Sequence, residues 1–225
     1  NSTSVTFTVD TIKPVVQILL PLNTSYSNTL LSLNYSATDI NLRNIWYNYN
    51  GINNTLSGNT TFTALDNQQS TLILYADDLA GNVNSTNVTF TVDATKPFVN
   101  IALPQNISYN SANRTFNYTA TDIHLDMVWY NYNGTNITLT KNISFTAIEG
   151  QSNITLYAND TFGNINSTIQ IFTVDTIKPF ISIILPENIT YNSVNRILNY
   201  TATDINLNTV WYNYNGTNIT LTNNI

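Results

Sequence analysis

One octapeptide occurs three times, as Phe7-Thr-Val-Asp-Thr-Ile-Lys-Pro14, Phe90-Thr-Val-Asp-Ala-Thr-Lys-Pro97 and Phe172-Thr-Val-Asp-Thr-Ile-Lys-Pro179, returning after 83 and then 82 residues. A second motif, Trp46-Tyr-Asn-Tyr-Asn-Gly51, keeps the same spacing at Trp129 and Trp211. A period on this scale means that one structural unit is copied along the chain, and each copy must bury its own apolar face. The motifs assign residues 1–12 to the last strand of a preceding repeat, 13–95 and 96–177 to two complete repeats, and 178–225 to an incomplete repeat. Both ends then fall inside units, so the chain reads as a piece of a longer one.

Within a unit the apolar residues alternate with period two, which argues strand over helix. Val99, Ile101 and Leu103 share a face, as do Phe116, Tyr118 and Ala120, and then Val128, Tyr130 and Tyr132. Alternation continues at Ile137/Leu139, Phe145/Ala147, Ile154/Leu156/Ala158 and Val88/Phe90/Val92, and the segments between carry turn residues such as Asp78-Leu-Ala-Gly-Asn82. The pattern predicts an all-β chain with about seven strands per repeat, folded as antiparallel two-sheet sandwiches. An up-and-down strand order is the simplest arrangement.

The run Tyr75-Ala-Asp-Asp-Leu-Ala-Gly-Asn82, followed by Val88-Thr-Phe-Thr-Val-Asp93 and Lys96-Pro97, resembles the bacterial-type Ig-like repeat of large secreted and surface proteins of bacteria and archaea. The resemblance covers nearly the whole chain. It implies tandem Ig-like sandwiches and an extracellular or cell-surface location. It implies no single activity, because such repeats act as spacers, adhesin stalks, filament subunits and enzyme appendages.

Only 9% of the residues are charged, and the net charge is −6 with 7 Lys and Arg. That removes the basic footprint that nucleic acid or an anionic membrane would need. No apolar run is long enough for a membrane-spanning helix. The absence of Cys excludes a disulfide framework, a thiolate metal site and a cysteine nucleophile.

Asn, Ser and Thr wet the surface instead. The 39 Asn form 20 Asn-x-Ser/Thr sequons, against about nine expected from random placement. An alternating polar strand face generates some automatically, since positions i and i+2 point the same way. That explanation does not reach Asn23, Asn106 and Asn188, which follow prolines in a predicted loop, or Asn84 and Asn166 after Gly-Asn turns. The remaining candidates for N-linked glycans are Asn34, Asn117 and Asn199, Asn53, Asn136 and Asn218, and Asn59 and Asn142.

Two further sets recur. Trp46, Trp129 and Trp211 alternate out of phase with the expected core face, which makes them candidates for aromatic contact with a sugar or a neighbouring chain; the alternative is a third strand buried on both sides or a Trp covered by a loop. In an up-and-down order, Asp10, Asp39 and Asp78 gather at one junction, and Asp93, Asp122 and Asp160 at the next. Each trio is a candidate oxygen-ligand set for calcium. The alternative is that Asp serves its ordinary turn role, with Lys13, Lys96 and Lys178 nearby to neutralise it. No cofactor is expected, and calcium is the one candidate.

Nothing points to an enzyme. The single His124 stands where the other copies have Asn41 and Asn206, which predicts a surface residue, and the seven glycines form no phosphate loop or nucleophile elbow. The leading expectation is a structural repeat region of an extracellular, N-glycosylated surface or filament-forming protein, acting as a semi-rigid rod. Its partners would be copies of itself and N-linked glycans. The alternatives are an adhesin binding carbohydrate or protein through the Trp-bearing sheets, and accessory domains of a secreted enzyme.

Overall fold

The computed structural model describes residues 2–221. The first complete repeat contains β1 (Val15–Leu20), β2 (Ser25–Tyr26), β3 (Leu30–Thr38), β4 (Leu42–Tyr49), β5 (Ile52–Thr55), β6 (Thr60–Thr63), β7 (Gln68–Asp78) and β8 (Val83–Val92). These build a three-stranded sheet in the order β1-β3-β6 and a five-stranded sheet in the order β2-β8-β7-β4-β5. All pairings are antiparallel except the short β2, which runs parallel to β8.

The core follows from the alternation. Leu31 and Leu33 of β3 and Phe62 of β6 cluster with Tyr47 of β4, Leu72 and Leu74 of β7, and Phe90 and Val92 of β8. Burying each such side chain contributes about 1.5–3 kcal/mol. Phe62 lies 5.1 Å from Tyr49 and 5.9 Å from Phe90 between ring centroids, which joins the two sheets through aromatic edges and faces. Asn50 and Gly51 close the β4–β5 hairpin with φ of 51° and 78°. A two-residue hairpin of this hand demands positive φ at both positions, which is why Asn-Gly recurs there in every copy.

The second repeat carries the same elements as β9 (Phe98–Leu103), β10 (Ser108–Tyr109), β11 (Asn113–Thr121), β12 (Leu125–Tyr132), β13 (Thr135–Thr138), β14 (Ile143–Thr146), β15 (Gly150–Asp160) and β16 (Ile165–Val174). Its sheets are β14-β11-β9 and β10-β16-β15-β12-β13, the same orders as before. Phe116, Tyr130, Ile154, Leu156, Phe172 and Val174 are buried at the positions equivalent to the first core. In the third repeat β17 (Phe180–Leu185) pairs with β18 (Asn199–Thr203), and β19 (Val210–Tyr214) with β20 (Thr217–Leu221).

Three differences from the sequence expectations have physical causes. Each complete repeat has eight strands, because β2 and β10 are two-residue bridges too short to show alternation. The order is not up-and-down: alternation reveals which face is buried but not which strand is the neighbour, and the chain crosses between sheets after β1, β2, β3, β5 and β6. Residues 2–14 form no strand, and Val5, Phe7 and Val9 are exposed, whereas the matching residues of the next copy lie in β8.

Candidate functional site at the repeat boundaries

The octapeptide aspartate is the centre of a hydrogen-bonded polar cluster that recurs with the repeat. In all three copies its Oδ1 accepts the backbone N–H two residues on: Ile12 onto Asp10 at 3.0 Å, Thr95 onto Asp93 at 3.0 Å and Ile177 onto Asp175 at 3.1 Å. This is the local turn that makes Asp habitual at such positions. Its Oδ2 then meets a side chain from the turn after the second long strand of the following repeat. Asn41 Nδ2 donates to Asp10 at 3.1 Å and Asn206 Nδ2 to Asp175 at 2.6 Å, and His124 Nδ1 lies 2.6 Å from Asp93. Donation to the carboxylate requires a proton on His124 Nδ1.

The receiving turn is itself fixed by an aspartate. Asp39, Asp122 and Asp204 each accept, through Oδ1, the backbone N–H of the clipping residue at 2.8, 2.8 and 2.7 Å. A second turn reaches the octapeptide aspartate through its main chain. Asn82 Nδ2 donates to Asp10 O at 3.1 Å and to Asp78 Oδ2 at 2.7 Å, and Asn164 Nδ2 donates to Asp93 O at 2.8 Å and to Asp160 Oδ2 at 2.7 Å. Asp78, Asp93 and Asp160 are almost completely buried. Burial pushes the Asp78 carboxyl upward, but the side-chain and backbone amides of Asn82 together with the backbone N–H groups of Ala80 and Gly81 outweigh it and hold the group below its ordinary range.

A third clasp acts on the segment that leaves β8 and β16. Asp66 accepts Ala94 N–H at 2.7 Å and the Thr95 hydroxyl at 3.0 Å, and Glu149 accepts Thr176 N–H at 3.0 Å and its hydroxyl at 2.8 Å. Asn84 Nδ2 donates to Pro14 O at 2.8 Å and Asn166 Nδ2 to Pro97 O at 2.9 Å, anchoring the start of the first strand.

Oxygens of Asp10, Asp39 and Asp78 lie within 4.8 Å of one another, and so do ligand-capable atoms of Asp93, Asp122 and His124. In the second set His124 takes the place that sequence reasoning gave to Asp160, whose carboxylate turns instead onto Phe162 N and Asn164. His124 is therefore half-buried and bonded where a surface residue was expected. The carboxylates already accept N–H donors from their own turns and partners.

The sequon asparagines fall into distinct environments. Asn23, Asn106 and Asn188 are exposed in a loop closed by a tyrosine hydroxyl that accepts Leu22 N–H at 2.7 Å, Gln105 N–H at 2.9 Å and Glu187 N–H at 2.8 Å. Asn34, Asn117 and Asn199 are half-buried. Asn59 and Asn142 are exposed, each accepting a backbone N–H, from Tyr35 and Tyr118, at 3.2 Å. Asn53, Asn136 and Asn218 are exposed on the edge strands. Asn84 and Asn166 differ from all these, because Nδ2, the atom a glycan would occupy, is engaged inside the fold.

Trp46 and Trp129 lie on the outer face of the five-stranded sheet, each stacked on the tyrosine paired with it across the sheet. Trp46 and Tyr75 are 5.2 Å apart with planes 4° from parallel, and Trp129 and Tyr157 are 5.3 Å apart at 5°. Trp211 is 59% exposed.

No family model and no curated protein matches the chain. Solved structures do. Clostridium thermocellum CbhA fibronectin(III)-like modules are similar at 14% identity over 71% of this chain and 94% of that one, with a TM-score of 0.38. The Sidekick-1 immunoglobulin domains 1–4 are similar at 11% identity over 74% of this chain, with a TM-score of 0.48, and the chain spans about half of that structure, 51%. Murine CEACAM1b is similar at 10% identity over 72% of this chain and 100% of that one, with a TM-score of 0.39. These likenesses concern the fold alone. Among the described residues there is no helix, and the sheets in the orders described above make the chain an all-β protein of Ig-like β-sandwiches.

Proposed function

We infer that the chain is a structural repeat region of an extracellular bacterial or archaeal surface or filament protein. Its work is mechanical: it sets length and spacing, and its partners are copies of itself along a fibre or array. The observation that carries this reading is the clip on the octapeptide aspartate, made with the same geometry at Asp10, Asp93 and Asp175. A free linker would leave such an aspartate in water. Here the chain passes from one repeat to the next through residues whose polar groups are engaged, which favours a semi-rigid rod over loose beads.

N-linked glycans at the exposed sequons, Asn23, Asn106 and Asn188 foremost, would supply the solubility that a chain with 9% charged residues lacks. Electron microscopy of the protein isolated from its source, with glycopeptide mass spectrometry, tests the reading. Regularly spaced beads along a stiff fibre and sugar on the exposed asparagines are expected. Randomly bent chains with bare asparagines would refute it.

A further inference from the structure

The stacked Trp–Tyr pairs require an explanation that the junctions do not give. They lie on the outer sheet face of the two complete repeats, and the hairpin strand beside the indole is the same in all three copies. Trp46 pairs directly with Thr55 of β5, and one step along the strands Asn48 pairs with Asn53. Directly paired residues project to the same face, so Asn53 and Thr55, the two functional positions of one sequon, flank the indole on its own side of the sheet. The second repeat places Thr138 opposite Trp129 and Asn136 opposite Asn131, and the third places Thr220 opposite Trp211 and Asn218 opposite Asn213.

The sequon asparagine is held ready in every copy. Asn48 Nδ2 donates to Asn53 Oδ1 at 2.6 Å, Asn131 to Asn136 at 2.6 Å and Asn213 to Asn218 at 2.7 Å. This bond fixes the amide through its oxygen. It leaves Nδ2, the atom that forms the glycosidic bond, without a hydrogen-bond partner among the described residues, in contrast to Asn84 and Asn166.

We propose that Asn53, Asn136 and Asn218 carry N-linked glycans whose first sugar lies on the neighbouring tryptophan, so that the aromatic platform is the seat of the protein's own glycan. The inference rests on the glycosylated exterior described above and assigns it a defined site. An indole face is flat, apolar and electron-rich, which suits the C–H face of a pyranose ring. A diagonal cross-strand neighbour lies about 7–8 Å away at Cα, within reach of a large side chain or a first sugar. The position also answers a second need. The strands β5 and β13 are the outer edges of their sheets. An unpaired edge invites edge-to-edge association, and a bulky hydrophilic cover prevents it.

All three tryptophans of the chain occupy this position, so indole emission reports on these sites and nothing else. The test compares native glycoprotein with an Asn53→Gln/Asn136→Gln/Asn218→Gln variant and a Thr55→Ala/Thr138→Ala/Thr220→Ala variant, both produced in the source organism. A loop-site variant, Asn23→Gln/Asn106→Gln/Asn188→Gln, serves as control. Glycopeptide mass spectrometry is expected to find sugar on Asn53 and Asn136, and acrylamide quenching of tryptophan is expected to rise about twofold in both edge-strand variants and to stay unchanged in the control. Bare Asn53 and Asn136 beside occupied Asn23 and Asn106 would overturn this site alone. Bare asparagines throughout would overturn it together with the glycosylated exterior. Occupied edge sites with unchanged quenching would overturn the seat on tryptophan, and so would protection of bare sites by added free saccharide.

Discussion

His124 and Asp93 meet at 2.6 Å, and Asn41 and Asp10 meet at 3.1 Å, at the same place in successive repeats. Two unlike side chains make one contact because each presents an N–H to a carboxylate oxygen from the same turn. The contact therefore tolerates exchange of the donor but not loss of the acceptor.

His124→Asn should accordingly be mild, shifting unfolding free energy by less than about 1 kcal/mol at neutral pH. Asp93→Ala should cost about 1–3 kcal/mol, because it removes a fully buried carboxylate that the Thr95 N–H and the half-buried His124 both use. Urea denaturation checks both. Equal losses for the two variants would mean that the carboxylate does not organise the junction.

The core makes a larger demand. Leu33 and Leu74 are fully buried in one cluster, and truncating either to Ala should cost about 2–5 kcal/mol, the range for a cavity that closes only in part. An equilibrium unfolding curve reads this out. A loss below about 1 kcal/mol would place these side chains outside a packed core.

Much of this was legible in the sequence. The octapeptide and tryptophan motifs return with the period at which the strand orders return, and Trp129 lies out of phase with the buried Tyr130, on the face where it stacks on Tyr157. The convergence of Asp10, Asp39 and Asp78 at one end also followed from strand direction, which an antiparallel two-sheet order shares with an up-and-down one. Other features left no local trace. The β2–β8 bridge has two residues and no periodicity, and neighbour relations within a sheet are properties of the closed fold. His124 read as a surface residue because Asn stands at that position elsewhere, although Asn and His share the N–H donor that the turn uses. Asn82 and Asn164 recur with the repeat period, which was the available signal for their role. Asn84 and Asn166 matched the sequon pattern, but only three-dimensional proximity to Pro14 and Pro97 reveals what their amides do.

Acid should destabilise the first complete repeat. The Arg43 guanidinium bonds to Asp77 and holds its carboxyl below the ordinary range, assisted by Asn44 and opposed by burial, and the Ala94 N–H does the same for Asp66. A carboxyl whose folded value lies below its unfolded value of about 3.9 contributes stability above that pH and loses it as the pH falls through the folded value. The melting temperature should therefore drop below about pH 4, and Asp77→Asn should flatten part of that decline. A profile flat down to pH 2 would contradict these assignments.

The junction carboxylates already accept N–H groups from their own turns and from Asn41, His124 and Asn82. Chelation should move the melting temperature by less than about 2 °C. A rise of several degrees on adding millimolar calcium, which mass action would produce from a site on the folded state, would show that Asp10, Asp39 and Asp78 act as ligands instead.

Differential scanning calorimetry of residues 93–177, produced alone with their own clip aspartate, tests most directly whether each repeat closes its own sandwich. One reversible transition is expected, with equal calorimetric and van't Hoff enthalpies of about 60 kcal/mol for a chain of this size. A featureless trace, or folding only when residues 13–92 are restored, would mean that the repeats share a core and are not separate Ig-like units.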